Sequence, residues 1–185
     1  MRTLLILLLF ILSSFTSNQR HSNDHLIYWS ADRRLTWDDF TLHPKKQGGG
    51  YAALTSSTIH SSFNTNPAEI CVVSYFSSKE SWVCSDQKTE DILKHEQGHF
   101  DLTEIYARMF RKQVMATTFT YKNIDVNYNK IRTDVTSKWH KEQLLYDKET
   151  DHGIDSTKQH QWLKDIANRL DELKAYSDTL IQLQL

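Results

Sequence analysis

Two histidines and a glutamate have the spacing of a zinc site. Residues 95–99 are His-Glu-Gln-Gly-His. In an α-helix, side chains four residues apart lie on the same face, so His95 and His99 can bind one zinc ion at about 2.0–2.1 Å. Glu96 follows the first histidine and is placed to take a proton from a zinc-bound water. The pattern therefore predicts zinc ligands at His95 and His99 and a catalytic base at Glu96.

A catalytic zinc ion usually has three protein ligands and one position open to water. We predict that His152 is the third ligand, because it follows a second helix that can return beside the first. Gly153 suits a chain reversal that would turn the imidazole inward. Asp151 and Glu149 are alternative ligands, and a histidine stabilised at a helix end by the dipole is another interpretation. His140 is a weaker candidate, since it adjoins a tryptophan within a charged helical stretch.

The elements that must position these residues divide the chain into a β-rich first half and a helical second half. Thr89 can cap the helix that carries the motif, and the run Ser156–Gln159 resembles a capping box that opens the third helix. Gly98 costs about 1 kcal/mol against alanine inside a helix, which suggests that another group approaches closely there. We expect one α+β domain, with a small antiparallel sheet and hairpin packed on the motif helix and two further helices.

The two cysteines, Cys71 and Cys84, flank a possible turn at Ser77–Ser78. A hairpin folded about that turn would set the cysteines opposite each other. A disulfide there would contribute about 3 kcal/mol in the chain-entropy model. Two free cysteines and metal ligation are the alternatives, and the disulfide is favoured because two cysteines 13 residues apart make a poor zinc pair.

The start of the chain and its charge balance indicate where the protein acts. Residues 1–17 combine a positive start, an apolar run over 4–12 and small residues, as in a secretory signal peptide. Nine apolar residues are too few to span a bilayer, so no stable anchor is expected after cleavage. With 22 basic and 23 acidic residues in 185, no nucleic-acid partner is expected. Residues 18–185 would form the mature, secreted or periplasmic domain.

Four sequence blocks resemble a family of bacterial secreted proteins that are predicted to be zinc-dependent proteases, otherwise known as a domain of unknown function. These blocks are 29–40, 52–57, 95–108 and 146–153. The resemblance implies a zincin-like protein in which His95 and His99 are ligands and Glu96 is the catalytic acid and base. The family's tyrosine–threonine–histidine block falls on Tyr146, Thr150 and His152.

The sequence thus predicts a zinc metallopeptidase that hydrolyses a peptide or protein substrate. Zinc would polarise the scissile carbonyl, and Glu96 would pass a proton from water to the leaving amine. Tyr146 could hydrogen-bond the developing oxyanion, a role that some zinc peptidases give to a tyrosine, although core packing is the favoured role. A cell-wall peptide amidase using the same site, a non-catalytic zinc-containing module and an accidental motif are the alternatives.

Overall fold

The structure is a computed structural model that describes residues 25–44 and 51–185. The predicted signal peptide, residues 1–17, lies outside the described residues. Within the described part of the chain, no helix has the length and apolar character needed to cross a membrane.

A small antiparallel sheet is built around one long central strand. The strands are β1 (Leu26–Tyr28), β2 (Ala53–Leu54), β3 (Ser57–Thr65), β4 (Ala68–Ser77), β5 (Trp82–Val83) and β6 (Leu180–Gln182). β4 pairs with β3 along its whole length on one side, and with β1 and β6 on the other. β2 and β5 form a separate two-stranded ladder.

Three helices follow the sheet in the chain. They are α1 (Glu90–Met115), α2 (Ile124–Thr150) and α3 (Ser156–Glu172). The predicted cap of α1 is confirmed, since the hydroxyl of Thr89 accepts a hydrogen bond from the Ile92 amide. The predicted start of α3 is wrong by one residue, because the cap is the carboxylate of Asp155, which accepts from the Lys158 amide. At this position a carboxylate accepts the hydrogen bond of a free backbone amide just as effectively as a hydroxyl does.

α1 is the most deeply buried element and holds the fold together. It packs on β4 and β3 on one side and on α2 and α3 on the other. Alternate residues of β4, such as Ile70 and Val72, are fully buried in the core that includes Leu102, Ile105 and Phe110 of α1. The side chains on one face of the strand, every second residue, thus pack on the apolar face of the helix.

Polar contacts fix α1 to the segment that follows β1. The buried carboxylate of Asp101 accepts hydrogen bonds from the Trp29 indole and from the Gln97 amide, both at 2.8 Å. Arg34 lies 2.9 Å from the other oxygen of Asp101. The Leu35 amide donates to Gln97 at 2.7 Å. Gln97 and Asp101 lie on the face of α1 opposite the histidines, so these bonds fix the position of the helix without involving the motif face.

The predicted fold class is confirmed: the domain is α+β, with a small antiparallel sheet packed on the motif helix and two further helices. The sheet does contain a hairpin, but it joins β3 to β4 and turns at residues 66–67. The turn predicted there from Asn64 to Pro67 is therefore confirmed in position.

The predicted hairpin about Ser77–Ser78 is wrong. β4 already has partners on both edges, so the chain after Ser77 cannot pair back along it. It crosses instead to the separate ladder, where β5 pairs with β2. Cys71 lies opposite Ser62 within the main sheet, whereas the Cys84 thiol faces the Tyr51 carbonyl at 3.7 Å. Both cysteines are free thiols in the structure.

We therefore expect two free thiols in the purified protein. Unfolding it in denaturant without reductant should let an alkylating agent label both cysteines, which intact-mass measurement would count directly. The chain has only two cysteines, so the count is unambiguous. Labelling that appears only after reduction would contradict the structure and restore the disulfide.

Candidate metal centre

The two histidines of the motif meet a carboxylate from α2. α2 runs antiparallel to α1, which places Asp147 opposite His95 and His99. Oδ1 of Asp147 lies 3.1 Å from Nε2 of His95 and 2.9 Å from Nε2 of His99, and the two Nε2 atoms are 3.2 Å apart. Among the described residues, this is the one group of three potential ligands that could hold a metal ion. The predicted pair is therefore brought together.

Asp147 was missed by the sequence analysis, although it lies within the segment that was searched. The two carboxylates proposed there do not join the cluster. Glu149 accepts a hydrogen bond from the Trp162 indole at 2.9 Å, and Asp151 is exposed at the end of α2. Gln143 and Asp147 are four residues apart and so lie on one face of α2, but the sequence does not say that this face meets α1.

His152 lies beside the cluster at the end of the cleft. Its Nδ1 is 3.4 Å from Oδ1 of Asp147, and its ring packs edge-on against Tyr51 at 4.8 Å between centroids. The imidazole is 43% exposed, far more than that of His95 or His99. Its assignment as a metal ligand stays a prediction, since Asp147 fills the third position more closely.

A strained turn holds His152 in this place. Asp151, His152 and Gly153 have φ values of 48°, 54° and 87°, so three successive residues are left-handed. Two of them are not glycine, and each such residue costs roughly 1–2 kcal/mol. A Cβ on Gly153 would come within 3.0 Å of the His95 side chain. The reversal predicted at Gly153 is confirmed, and it needs glycine for contact as well as for conformation.

Each ligand histidine is held by a glutamine. Nδ1 of His99 contacts Oε1 of Gln143, and Nδ1 of His95 lies 3.0 Å from Oε1 of Gln159. The Gln143 amide nitrogen donates to the His99 carbonyl, which can only accept, so the amide orientation is fixed. Nδ1 of each ring must therefore donate its proton to the glutamine. When the rings are neutral, both Nε2 lone pairs therefore face Asp147, as metal binding requires; when a ring is doubly protonated, its Nε2 donates to the carboxylate instead.

Tyr146 completes the support beneath His95. Its ring stacks on the imidazole at 4.6 Å between centroids and is fully buried. The hydroxyl accepts from the Gln159 amide at 2.7 Å and donates to the His95 carbonyl at 3.3 Å. A Cβ on Gly98 would lie 2.3 Å from this hydroxyl, which confirms the expected close approach. The favoured packing role of Tyr146 is also confirmed.

The charge state of Asp147 and the two histidines favours the binding of a cation between them. Burial would raise the pKa of Asp147, but hydrogen bonds from His95 and His99 outweigh it and hold the pKa well below its usual value. Burial would lower the pKa of His99, but its bond to Asp147 and the charge of Glu96 raise it. Since Nδ1 already donates, Nε2 can satisfy the carboxylate only by a second proton or a shared metal ion. The donors present therefore fit a metal.

Glu96 provides an unpaired carboxylate oxygen at the cluster. The side chain is 4% exposed, and its Oε2 has no hydrogen-bond partner among the described residues. A buried acceptor without a partner costs roughly 1–3 kcal/mol, and more when charged. Such an atom is retained where it serves a bound molecule, because packing alone would disfavour it.

These groups form the floor of a cleft of about 480 Å³. One wall is the extended segment 51–57, and the other is the C-terminal half of α2 from Trp139 to Asp147. The hydroxyl of Thr55 ties the first wall to the floor by donating to the Glu96 carbonyl at 3.2 Å. The cleft can therefore admit an extended molecule across the two histidines and Glu96.

Part of the chain, including this site, is similar to a bacterial protein family. Residues 74–153 match the model of a family described as "Bacterial protein of unknown function (DUF922)". The match covers less than half of the chain but includes Glu96, both motif histidines, Asp147 and His152. It confirms the resemblance to a bacterial family of unknown function, whose description names no activity and no metal. No curated protein and no solved structure matches the chain.

We expect Asp147→Ala to weaken zinc binding by more than the roughly 10- to 100-fold that loss of an outer partner costs. The carboxylate contacts both Nε2 atoms, so its removal opens one ligand position. Competition with a chromogenic chelator would measure the affinity. Asp151→Ala and His140→Ala are matched controls that should leave it unchanged. Equal affinity in Asp147→Ala and the parent would exclude Asp147 as a ligand.

A second expectation concerns the glutamine behind His95. Gln159→Leu keeps the size of the side chain but removes the acceptor for Nδ1, so zinc affinity should fall by roughly 10- to 100-fold. Gln161→Leu, an exposed neighbour on α3, should bind zinc like the parent. Chelator competition with circular dichroism on both variants would separate lost orientation from lost folding. If Gln159→Leu folds and binds zinc like the parent, the proton on Nδ1 of His95 does not depend on Gln159.

Proposed function

We propose that the protein is a secreted or periplasmic zinc-dependent metallopeptidase that cleaves peptide or protein substrates. One observation carries the proposal: the unpaired oxygen of Glu96 lies in the same cleft as the converging ligand atoms of His95, His99 and Asp147. A purely structural metal site has no need of a buried base beside it.

The donor set supports zinc as the metal. Two imidazole nitrogens and one carboxylate oxygen are ligands that zinc accepts, and His₂-carboxylate sets occur in zinc peptidases. The fold supports the proposal, since a small antiparallel sheet packs on the motif helix and leaves the two histidines and Glu96 facing a cleft. When bound, zinc supplies Lewis-acid chemistry, polarising a carbonyl and making water a stronger nucleophile at neutral pH.

The residues of the chain would divide the remaining work. Glu96 would take the proton of the attacking water and deliver it to the leaving amine. The two glutamines would keep the histidine rings oriented through the reaction. The wall 51–57 would align an extended substrate, because a strand-like segment borders the cleft along its length. Secretion follows in this proposal from the leader at residues 1–17.

A non-catalytic zinc module is the second candidate, and His152 favours it. Structural zinc sites are usually closed by four protein ligands. His152 lies 3.4 Å from Asp147 and could supply the fourth. A cell-wall peptide amidase would use the open site described above and differs from the peptidase only in the substrate.

We expect Glu96→Gln to keep its zinc and to lose hydrolysis by about 100- to 10,000-fold. The amide preserves shape but cannot carry the proton. Peptide pools incubated with and without chelator, and analysed by mass spectrometry, would provide the assay. Glu90→Gln, an exposed carboxylate in the first turn of the same helix, is the control and should retain activity. Full activity in Glu96→Gln would overturn the assigned role.

His152→Ala separates the two candidates. A peptidase with three ligands and one open position should keep its zinc when His152 is removed. A closed module should lose affinity as strongly as Asp147→Ala does. Strong loss, together with no cleavage of any peptide by the parent, would therefore favour the non-catalytic module.

A further inference from the structure

The central sheet has a gap on the side of α1 away from the metal cluster. β1 pairs with residues 75–77 of β4, and β6 pairs with residues 69–71. The Trp29 amide still donates to the Ser74 carbonyl and the Val72 amide to the Thr179 carbonyl, so the gap between the two strands is centred on Val73. Arg111 of α1 reaches this gap and donates from Nε to the Val72 carbonyl at 3.1 Å. A cavity of about 290 Å³ lies at the gap.

The charges around this cavity do not balance. Arg108 and Arg111 both line it, and their side chains are 6% and 1% exposed. Glu104, at 5% exposure, is the one carboxylate among the described residues that line it. Two buried guanidinium groups therefore share one carboxylate. An uncompensated buried charge is destabilising, so a further anion would stabilise this cluster.

Arg111 is fully used by the fold. Its Nη1 donates to the carbonyls of Tyr176 and Ser177, and both terminal nitrogens donate to Glu104. These bonds fasten the C-terminal segment to α1. Arg111 therefore has a structural role and no donor left for a ligand.

Arg108 differs, because one edge of its guanidinium is free. Nε donates to Glu104 at 2.8 Å and Nη1 to the Leu170 carbonyl at 2.6 Å. Nη2 makes no hydrogen bond within the described part of the chain. The guanidinium lies over the Trp29 ring, 4.9 Å from its centroid, and this ring also lines the cavity. A charged donor is thus held rigidly against an aromatic wall.

Two further acidic residues of the described chain are connected to this cavity, but neither lines it. Asp101 accepts from Trp29 but is already paired with Arg34 at 2.9 Å. Asp178 lies between two residues that line the cavity, Ser177 and Thr179, yet does not itself line it. In the segments outside the described residues, the sequence holds a single acidic residue, Asp24.

We propose that this cavity binds a small organic monocarboxylate. The net charge of the buried cluster is one positive, which a monoanion matches and a dianion exceeds. Nη2 of Arg108 would donate to the carboxylate, and Ser177 and Thr179, which line the same cavity, each have a hydroxyl that would donate as well. Trp29 and Val73 would pack on the apolar part of the ligand. The site is separate from the metal cleft and does not depend on it.

Benzoate is a suitable probe, and benzamide is its neutral control. Titration of the purified protein, followed by NMR at the Trp29 indole N–H, should show saturable shifts with benzoate and none with benzamide, phosphate or sulfate. Arg108→Lys keeps the charge but loses the planar donor edge, and it should weaken benzoate binding by about tenfold or more. Lys138→Gln, a surface cation on α2, should bind like the parent.

Thr179→Val is a second test of the proposed site, which can be used if Arg108→Lys does not fold. It removes only a hydroxyl, while the backbone carbonyl of residue 179 still accepts from the Val72 amide. We expect weaker benzoate binding, by a few-fold to tenfold, at unchanged stability. Absence of saturable benzoate binding, an equal response to benzamide or phosphate, or parental affinity in folded Arg108→Lys would each overturn the proposal.

Discussion

The close contact between Gly98 and Tyr146 sets the distance between α1 and α2, and the metal-capable cluster depends on it. With no side chain at Gly98, the tyrosine hydroxyl can lie against the α1 backbone and bond to the His95 carbonyl. One residue further along α2, Asp147 then reaches both imidazoles. A wider helix spacing would leave the carboxylate too far from Nε2 for a shared ion.

Much of this arrangement could be predicted because it is local. A five-residue pattern fixes the relation of His95, Glu96 and His99 within one helix, and helix periodicity is independent of the rest of the fold. The glycine in that helix also carried information, since its cost implied a close neighbour. The helical second half of the chain is confirmed as three helices, although the chain after α3 ends in the strand β6 and not in more helix.

The features that could not be predicted are those that depend on which elements meet. Cys71 and Cys84 have suitable spacing for a hairpin, but β4 is central, and strand order is decided by long-range packing. Asp147 was overlooked because nothing in the sequence states which face of α2 meets α1. Gln143 and Gln159 could not be recognised as partners of the histidines for the same reason, because a neutral glutamine in a helix belongs to no distinctive sequence motif.

α1 also shows how one helix can serve two polar sites without losing its place in the core. Its cleft-facing side carries the cluster with Glu96, and other positions carry Glu104, Arg108 and Arg111 against the sheet gap. Buried polar groups stabilise little and are costly when unpaired. Along α1 nearly all are paired, and the two that retain unused capacity, Glu96 and Arg108, each face a cavity. The other buried polar groups of the helix have partners within the fold, so these two unused groups are the ones on which the proposed peptidase site and the proposed carboxylate site rest.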